Sequence, residues 1–142
     1  MIKKLLENST CAQCRMCCIF DRYDVWETPL FDEITMNRVK SAVPDAEFAK
    51  KGNGYVLNVG KITGEELFSC PALAENGCIL GDNKPFDCRI WPFRIMYFDG
   101  CRVIAVSSLC ESVHGQSHDK LRAFLKEGLA KEIFAYADKF PE

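Results

Sequence analysis

Residues 11–18 read Cys-Ala-Gln-Cys-Arg-Met-Cys-Cys, which is a C-x2-C-x2-C-C run near the start of the chain. A two-residue gap allows neighbouring sulfur atoms to approach one metal centre from a tight loop, and both zinc and iron–sulfur sites use this spacing. Because adjacent side chains tend to point in different directions, Cys17 and Cys18 are poorly placed to join one compact site. We therefore expect the run to bind metal, with one of these two thiols serving a second site.

The spacing within the run favours an iron–sulfur cluster over zinc. Three cysteines at two successive C-x2-C intervals are typical of a bacterial ferredoxin-type cluster loop, whereas zinc sites usually consist of two separated C-x2-C pairs. Radical chemistry with S-adenosylmethionine would call for a C-x3-C-x2-C run, and the spacing here differs. The run therefore predicts an iron–sulfur cluster whose irons are all bound by the protein, which favours electron transfer, sensing or assembly support over catalysis at the cluster.

Further cysteines follow in a second region, between Cys70 and Cys88, that is rich in turn-forming residues. Prolines and glycines around them suit a rigid loop whose backbone N–H groups can point at sulfur. Cys110 is one more candidate, whereas Cys101 lies outside any ligand motif and is predicted to be an ordinary thiol. The eight predicted metal ligands are Cys11, Cys14, Cys17, Cys18, Cys70, Cys78, Cys88 and Cys110.

Length and composition indicate a globular protein. The chain has 142 residues, 48% of them hydrophobic and 27% charged, and we predict a single domain over residues 1–142. Nine cysteines in such a chain indicate either disulfides or metal ligation, and the cellular compartment decides between them. We find no apolar run of signal-peptide length and no stretch of about 20 apolar residues, which predicts a cytoplasmic protein without a membrane span. A reducing cytosol favours metal ligation.

Charge gives no indication of a nucleic-acid partner. The formal net charge is −2, and no block of lysines and arginines stands out in the sequence. Nucleic acid is therefore not an obvious partner, and the partner we expect is a protein redox partner or client enzyme, in line with the function predicted below.

The remaining patterns predict a small, irregular α+β domain with cysteine-rich metal-binding loops. Thr28-Pro29 has the form of a helix N-cap followed by proline, and the helix after it should end before Pro44. Its predicted apolar side consists of Phe31, Ile34, Val39 and Ala42.

The second half of the chain predicts strands and a terminal helix. Residues 55–59 should form a short strand, and residues 93–98 and 102–107 should form a β-hairpin around Asp99-Gly100. Apolar residues recur at helical spacing over residues 117–139, which predicts a C-terminal amphipathic helix.

Taken together, the cysteine motifs resemble those of the YkgJ-like cysteine-cluster family. The likeness covers roughly residues 9–115 and consists of the run at 11–18, Cys70-Pro71, Gly77-Cys78 and Lys84-Pro85-x-x-Cys88-Arg89-x-Trp91-Pro92. Family members usually carry Arg-Pro at the position of Lys84-Pro85, and a late Cys-Pro-Gly element of which only Cys110 is matched here. The family is described as zinc- or iron-chelating and is often labelled as iron–sulfur cluster proteins. The resemblance thus implies metal binding without implying a particular reaction.

Eight ligands invite a division into four and four. The candidates are two [4Fe-4S] cubanes, one cubane with one zinc, or a larger fused cluster. Eight thiolates contribute about −8, and two cubane cores or two Zn²⁺ ions return about +4, so nearby cations are favoured. Arg15, Arg89 and Arg94 lie close to ligands in sequence. We predict that Arg89 and Trp91 face the cofactor and control its charge environment and solvent access.

The predicted function is that of an iron–sulfur protein that transfers electrons or helps to mature or reduce a client enzyme, with one or two [4Fe-4S] clusters. We predict no catalytic side chain. His114 and His118 could be metal ligands or a base beside a nucleophilic cysteine, but their spacing of four brings them together only if a helix starts early, and we expect a loop or helix start there. Two alternatives stay open. One is a structural zinc module that mediates protein interaction, and the other is a catalytic iron–sulfur enzyme with an open iron site.

Overall fold

The computed structural model describes residues 2–6, 8–21, 28–62 and 64–141, and its short helices and small sheets confirm the predicted α+β class. The helices are α1 Asn8–Cys14, α2 Glu33–Ala42, α3 Phe86–Ile90, α4 Glu111–His114, α5 His118–Phe124 and α6 Ala130–Lys139. The strands are β1 Ile19–Phe20, β2 Leu30–Phe31, β3 Phe48–Lys51, β4 Gly54–Leu57, β5 Gly60–Lys61, β6 Phe68–Ser69, β7 Leu73–Ala74, β8 Gly77–Cys78, β9 Phe93–Phe98 and β10 Cys101–Val106.

The strands form four small antiparallel sheets. Two sheets have three strands each, in the orders β1-β6-β5 and β2-β4-β3, and the pairs β7-β8 and β9-β10 are two-stranded. Most strands are only two residues long, which indicates that they are held by tertiary packing as well as by their own pairing. The predicted strand at residues 55–59 corresponds to β4, which starts and ends earlier, at Gly54 and Leu57.

The hairpin prediction is confirmed. Strand β9 pairs along its whole length with β10, and the turn between them is Asp99-Gly100. Asp99 has φ 50° and Gly100 has φ 74°. Two central residues with positive φ are the requirement of a type I′ turn, whose twist matches that of the strands. Cys101 belongs to the second strand, so that strand begins one residue earlier than predicted.

The prediction for the first long helix is partly wrong. The N-cap is Asp32, whose Oδ1 accepts a hydrogen bond from the Thr35 backbone N–H at 2.7 Å, whereas Thr28 is buried ahead of β2. The helix therefore begins later, and Met36 and Val39 form its buried side. Three residues that we predicted on the apolar side of the helix do not lie there. Phe31 is buried in β2, and Ile34 and Ala42 are exposed. The predicted end before Pro44 is confirmed.

The C-terminal amphipathic helix is present but is not continuous. Helix α5 begins after Ser117, whose Oγ accepts a hydrogen bond from the Lys120 backbone N–H at 3.4 Å. A π-helical turn, Leu125–Leu129, then separates α5 from α6, and Gly128 within it has φ 137°. The apolar face predicted from the sequence is nevertheless buried on both sides of this break.

Replacement of Gly128 distinguishes the interrupted helix from a continuous one. In a regular helix, Gly→Ala would stabilise the protein by about 1 kcal/mol. Because an L-residue at positive φ is strained, we expect Gly128→Ala instead to lower the free energy of unfolding by about 1 kcal/mol or more. No atom lies within 4 Å of the added Cβ, so the effect would come from the backbone alone. Urea denaturation of both proteins measures it, and a stabilised variant would contradict the observed break.

The buried hydrophobic residues form two separate cores. The C-terminal core consists of Leu6, Ile90, Phe93, Cys110, Val113, Leu121, Phe124, Leu129 and Ile133. The sheet core consists of Phe31, Met36, Val39, Ala46, Leu57, Ala72 and Leu80. None of the helices in the described part of the chain is both long enough and apolar enough to cross a membrane.

Candidate metal centre

The first cysteine run is folded as a helix end followed by a tight turn. Cys11 and Cys14 lie three residues apart in α1, and Arg15 then leaves the helix with φ 55°. A 3₁₀ turn, Met16–Cys18, follows, and the Cys18 N–H donates to the Arg15 carbonyl at 2.8 Å. This reversal brings Cys17 back towards Cys11, close enough to raise the pKa of the Cys11 thiol.

The second cysteine region is attached directly to this turn. The Cys70 N–H donates to the Cys18 carbonyl at 2.9 Å, next to the pairing of β1 with β6. Cys78 lies on β8, and the neighbouring Gly77 packs so closely on α1 that an added Cβ would lie 3.2 Å from the Ala12 Cβ. Glycine at this position therefore allows the β7-β8 hairpin to approach the first run.

The last two predicted ligands lie on short helices. Cys88 lies on α3, which is fixed to β2 because the Asp87 carboxylate accepts a hydrogen bond from the Leu30 N–H at 2.8 Å. Cys110 is the residue before α4, and its carbonyl accepts hydrogen bonds from the Val113 and His114 N–H groups. Its side chain is 8% exposed.

Most of the predicted ligands surround two adjoining cavities. The first cavity has a volume of about 350 Å³, and its cysteines are Cys11, Cys17, Cys18, Cys78 and Cys88. The second cavity has a volume of about 260 Å³, and its cysteines are Cys11, Cys14, Cys17 and Cys110. Trp91 and Arg15 also line both cavities, so the two share a wall. The sequence had grouped these cysteines but could not show how they divide.

Cys70, the eighth predicted ligand, lines neither cavity but is hydrogen-bonded through its N–H to Cys18, which lines the first. Burial raises the pKa of Cys70 to about 11, and the nearby Cys78 and Cys17 thiols contribute to this rise. Loss of solvation likewise raises the pKa of Cys88 well above its ordinary value, with Cys70 as the largest contributor among its charged neighbours. These thiols are therefore in mutual electrostatic contact.

Neighbouring thiols also raise one another's pKa values around the first cysteine run. The contact between the Sγ atoms of Cys17 and Cys18, 4.0 Å apart, raises the pKa of Cys17, and burial adds to the effect. Burial also raises the pKa of Cys11 and Cys110, and Cys14 contributes to both increases. Crowded, desolvated thiols resist ionisation unless a positive charge is supplied nearby.

Positive side chains lie around the first cavity. Arg15, Lys84 and Arg89 all line it, and Lys84 lowers the pKa of Cys11 and Cys17 against the effects that raise them. Lys84 was not among the cations predicted from the sequence. The position of Lys84 in the Lys-Pro-x-x-Cys motif was the only feature of the sequence that pointed to this role.

The two predicted cofactor-facing residues, Arg89 and Trp91, lie at this site in different settings. Arg89 is exposed at the edge of the first cavity, with its guanidinium 5.7 Å from the centre of the Phe86 ring. Trp91 is partly buried, and the Arg94 guanidinium lies 4.9 Å from the centre of its ring.

Cys101 and the histidines lie apart from the cavities. Cys101 is exposed on β10, and neither it nor His114 or His118 lines either cavity. Within residues 2–6, 8–21, 28–62 and 64–141, no three Cys, His, Asp or Glu side chains are arranged to hold a metal ion as they stand. The thiols are gathered around open space instead of converging on one point.

The donor set fits an iron–sulfur cluster in type and in space. Iron–sulfur clusters are held by cysteine thiolates, and the cavities offer seven thiols from the predicted set. Each cavity is many times larger than the volume of about 30 Å³ that one water molecule occupies in the liquid, and so has room for more than a single ion.

Comparison with known proteins adds no relative. No family model, no curated protein and no solved structure matches the chain. The resemblance to the YkgJ-like cysteine-cluster family therefore rests on the cysteine motifs alone.

Proposed function

We propose that the protein binds one or two [4Fe-4S] clusters through the eight predicted cysteines, as the YkgJ-like motifs suggest, and serves as an electron carrier or as a redox or maturation accessory to a client enzyme. The observation that carries the proposal is that eight of the nine cysteines lie together and the ninth lies apart. Seven line two adjoining cavities and Cys70 contacts that group, whereas Cys101 is exposed elsewhere.

The side chains around the cavities suit a redox centre. A bound iron–sulfur cluster would supply one-electron transfer. Leu6 and Trp91 line both cavities and would exclude water from the thiolates. Arg15 and Lys84 would offset the negative charge that thiolate ligands bring. Eight cysteines provide full ligation for two clusters, which favours electron transfer over catalysis at an open iron.

The second cavity provides the face at which a protein partner would approach. Cys14 is exposed there, and the neighbouring Met16 and Leu109 are 48% and 51% exposed. Apolar side chains of this kind around a redox centre suit transient contact with another protein. The chain's net charge of −2 gives no reason to propose a nucleic-acid partner. The proposed thiolate ligands require a reducing compartment, which favours a cytoplasmic location.

Anaerobic purification tests the cofactor directly. We expect a brown protein with a broad absorption band near roughly 400 nm and about four to eight irons per chain, with matching sulfide. A colourless protein with about one or two zinc ions and little iron after reconstitution would refute the cluster and favour a structural zinc module.

A matched pair of variants tests the ligand assignment. Cys14 and Cys101 are both exposed, and both can be replaced by alanine with little loss of packing. We expect Cys14→Ala to lose about half or more of the iron and sulfide and to be less stable, because it removes a ligand. Cys101→Ala should retain the wild-type metal content. Equal losses in the two variants would contradict the assignment.

A further inference from the structure

We propose that the eight cysteines form two separate four-thiol sites, one at each cavity, an inference that rests on the proposed function only in that these thiols hold metal. The first site consists of Cys18, Cys70, Cys78 and Cys88. The second site consists of Cys11, Cys14, Cys17 and Cys110.

The cavity walls carry the first part of the argument. Cys18, Cys78 and Cys88 line the first cavity and not the second, whereas Cys14 and Cys110 line the second and not the first. If all eight thiols held one metal centre, cysteines of both sets would line the same cavity. Five of the eight thiols thus belong to one cavity each.

The two cores make the same division independently. Cys110 belongs to the C-terminal core, and Cys11 packs against that core. Cys70 and Cys78 pack against the sheet core instead. Each proposed site is therefore anchored in its own hydrophobic core, which would fix the two sets of ligands separately.

Backbone contacts and packing assign the remaining thiols. The Cys70 N–H donates to the Cys18 carbonyl at 2.9 Å, and Cys70 packs against the same core as Cys78, which places it with the first site. That site then has four thiols, the number that a cubane or a zinc ion takes. Cys11 and Cys17 line both cavities, and because the first site already has four thiols, they complete the second site with Cys14 and Cys110.

The boundary between the sites passes between two adjacent residues. The Sγ atoms of Cys17 and Cys18 are 4.0 Å apart, and Cys17, Cys11 and Trp91 form the wall that both cavities share. The adjacent residues Cys17 and Cys18 therefore provide ligands to different sites, Cys17 to the second and Cys18 to the first. Two redox centres this close would exchange electrons with each other.

Metal content of single variants tests the division. We expect Cys78→Ala and Cys14→Ala each to retain about half of the wild-type iron and sulfide, and the double variant to retain almost none. Cys101→Ala is the control and should match the wild type. Gel filtration and circular dichroism establish that each variant is folded. A folded single variant that loses all its metal would overturn the division, because it would show one shared site.

A titration of the wild-type chain covers the case in which a variant fails to fold. Anaerobic addition of Co²⁺ to the full-length, metal-free protein should give thiolate-to-cobalt absorption that saturates at about two ions per chain. Saturation at about one ion would overturn the proposal. If the purified protein holds zinc and no sulfide, the iron–sulfur function fails, but twofold loss in each variant and two cobalt ions would still support two sites.

Discussion

Removal of the metal that we propose binds at the cysteine cavities is expected to lower the free energy of unfolding by at least about 4 kcal/mol, the amount by which a ligand present at 1,000 times its dissociation constant stabilises a fold. Backbone pairing contributes little to the cysteine loops, because β1, β6, β7 and β8 are two residues long, so these loops depend on packing against the two cores and on the proposed metal. Thiols that crowd together without a compensating cation also repel one another when ionised.

Anaerobic urea denaturation of the metal-loaded and the metal-free protein, followed by circular dichroism, measures this difference. The Cys101→Ala variant is the control, since its thiol lies outside both cavities and the same difference should be found. Coincident denaturation curves for the loaded and metal-free proteins would show that the metal does not hold the loops.

Phe93→Ala is expected to lower the free energy of unfolding by about 3–5 kcal/mol, the usual cost of deleting a fully buried phenylalanine ring. Phe93 is 0% exposed, and its ring stacks on that of Phe124 with 6.1 Å between their centres. It joins the hairpin to the C-terminal helices, so its loss leaves a cavity between elements that have few ways to close it.

The same strand contains a matched control for this substitution. Phe98 is also a phenylalanine of β9, but it is 73% exposed at the far end of the hairpin. We expect Phe98→Ala to change the free energy of unfolding by no more than about 0.5 kcal/mol. Equal costs for the two variants would mean that the C-terminal core does not depend on Phe93.

Local chemistry allowed part of the fold to be predicted. The Asp99-Gly100 hairpin followed from the positive φ angles that a two-residue turn demands, and the end of α2 followed from Pro44, which cannot continue a helix. The start of α2 was wrong because Thr28 and Asp32 are both good N-cap residues, and only the pairing of β2 with β4 excludes the earlier one.

Features that depend on contacts distant in sequence could not be predicted. The break at Gly128 lies inside a regular apolar repeat, and only its φ of 137° distinguishes it from a glycine in a continuous helix. The two-residue strands are too short to produce a period-2 pattern. They form because other segments are already adjacent, as when β6 adds to both β1 and β5.

The candidate site shows the same limit. Spacing identified the eight cysteines as a group and set Cys101 apart, but the division between cavities depends on which core each segment joins. Lys84 contributes positive charge at the first cavity because the turn Gly81–Asn83 and α3 place it there. A single lysine in a loop carries no sequence signal for such a role.

Contacts between an early and a late segment of the chain have a consequence for biosynthesis. Gln116 Nε2 donates to the Leu5 carbonyl at 3.0 Å, and Lys4 pairs with Glu127 at 2.6 Å, so the segment before α1 packs on residues made late. At a synthesis rate of about 5–20 residues per second, roughly 5–20 s separate the emergence of Cys11 from that of Cys110. During this interval on the ribosome the first cysteine run lacks its later partners, so it is open to oxidants and to the wrong metal. The proposed site that contains both Cys11 and Cys110 can therefore be completed only late in synthesis.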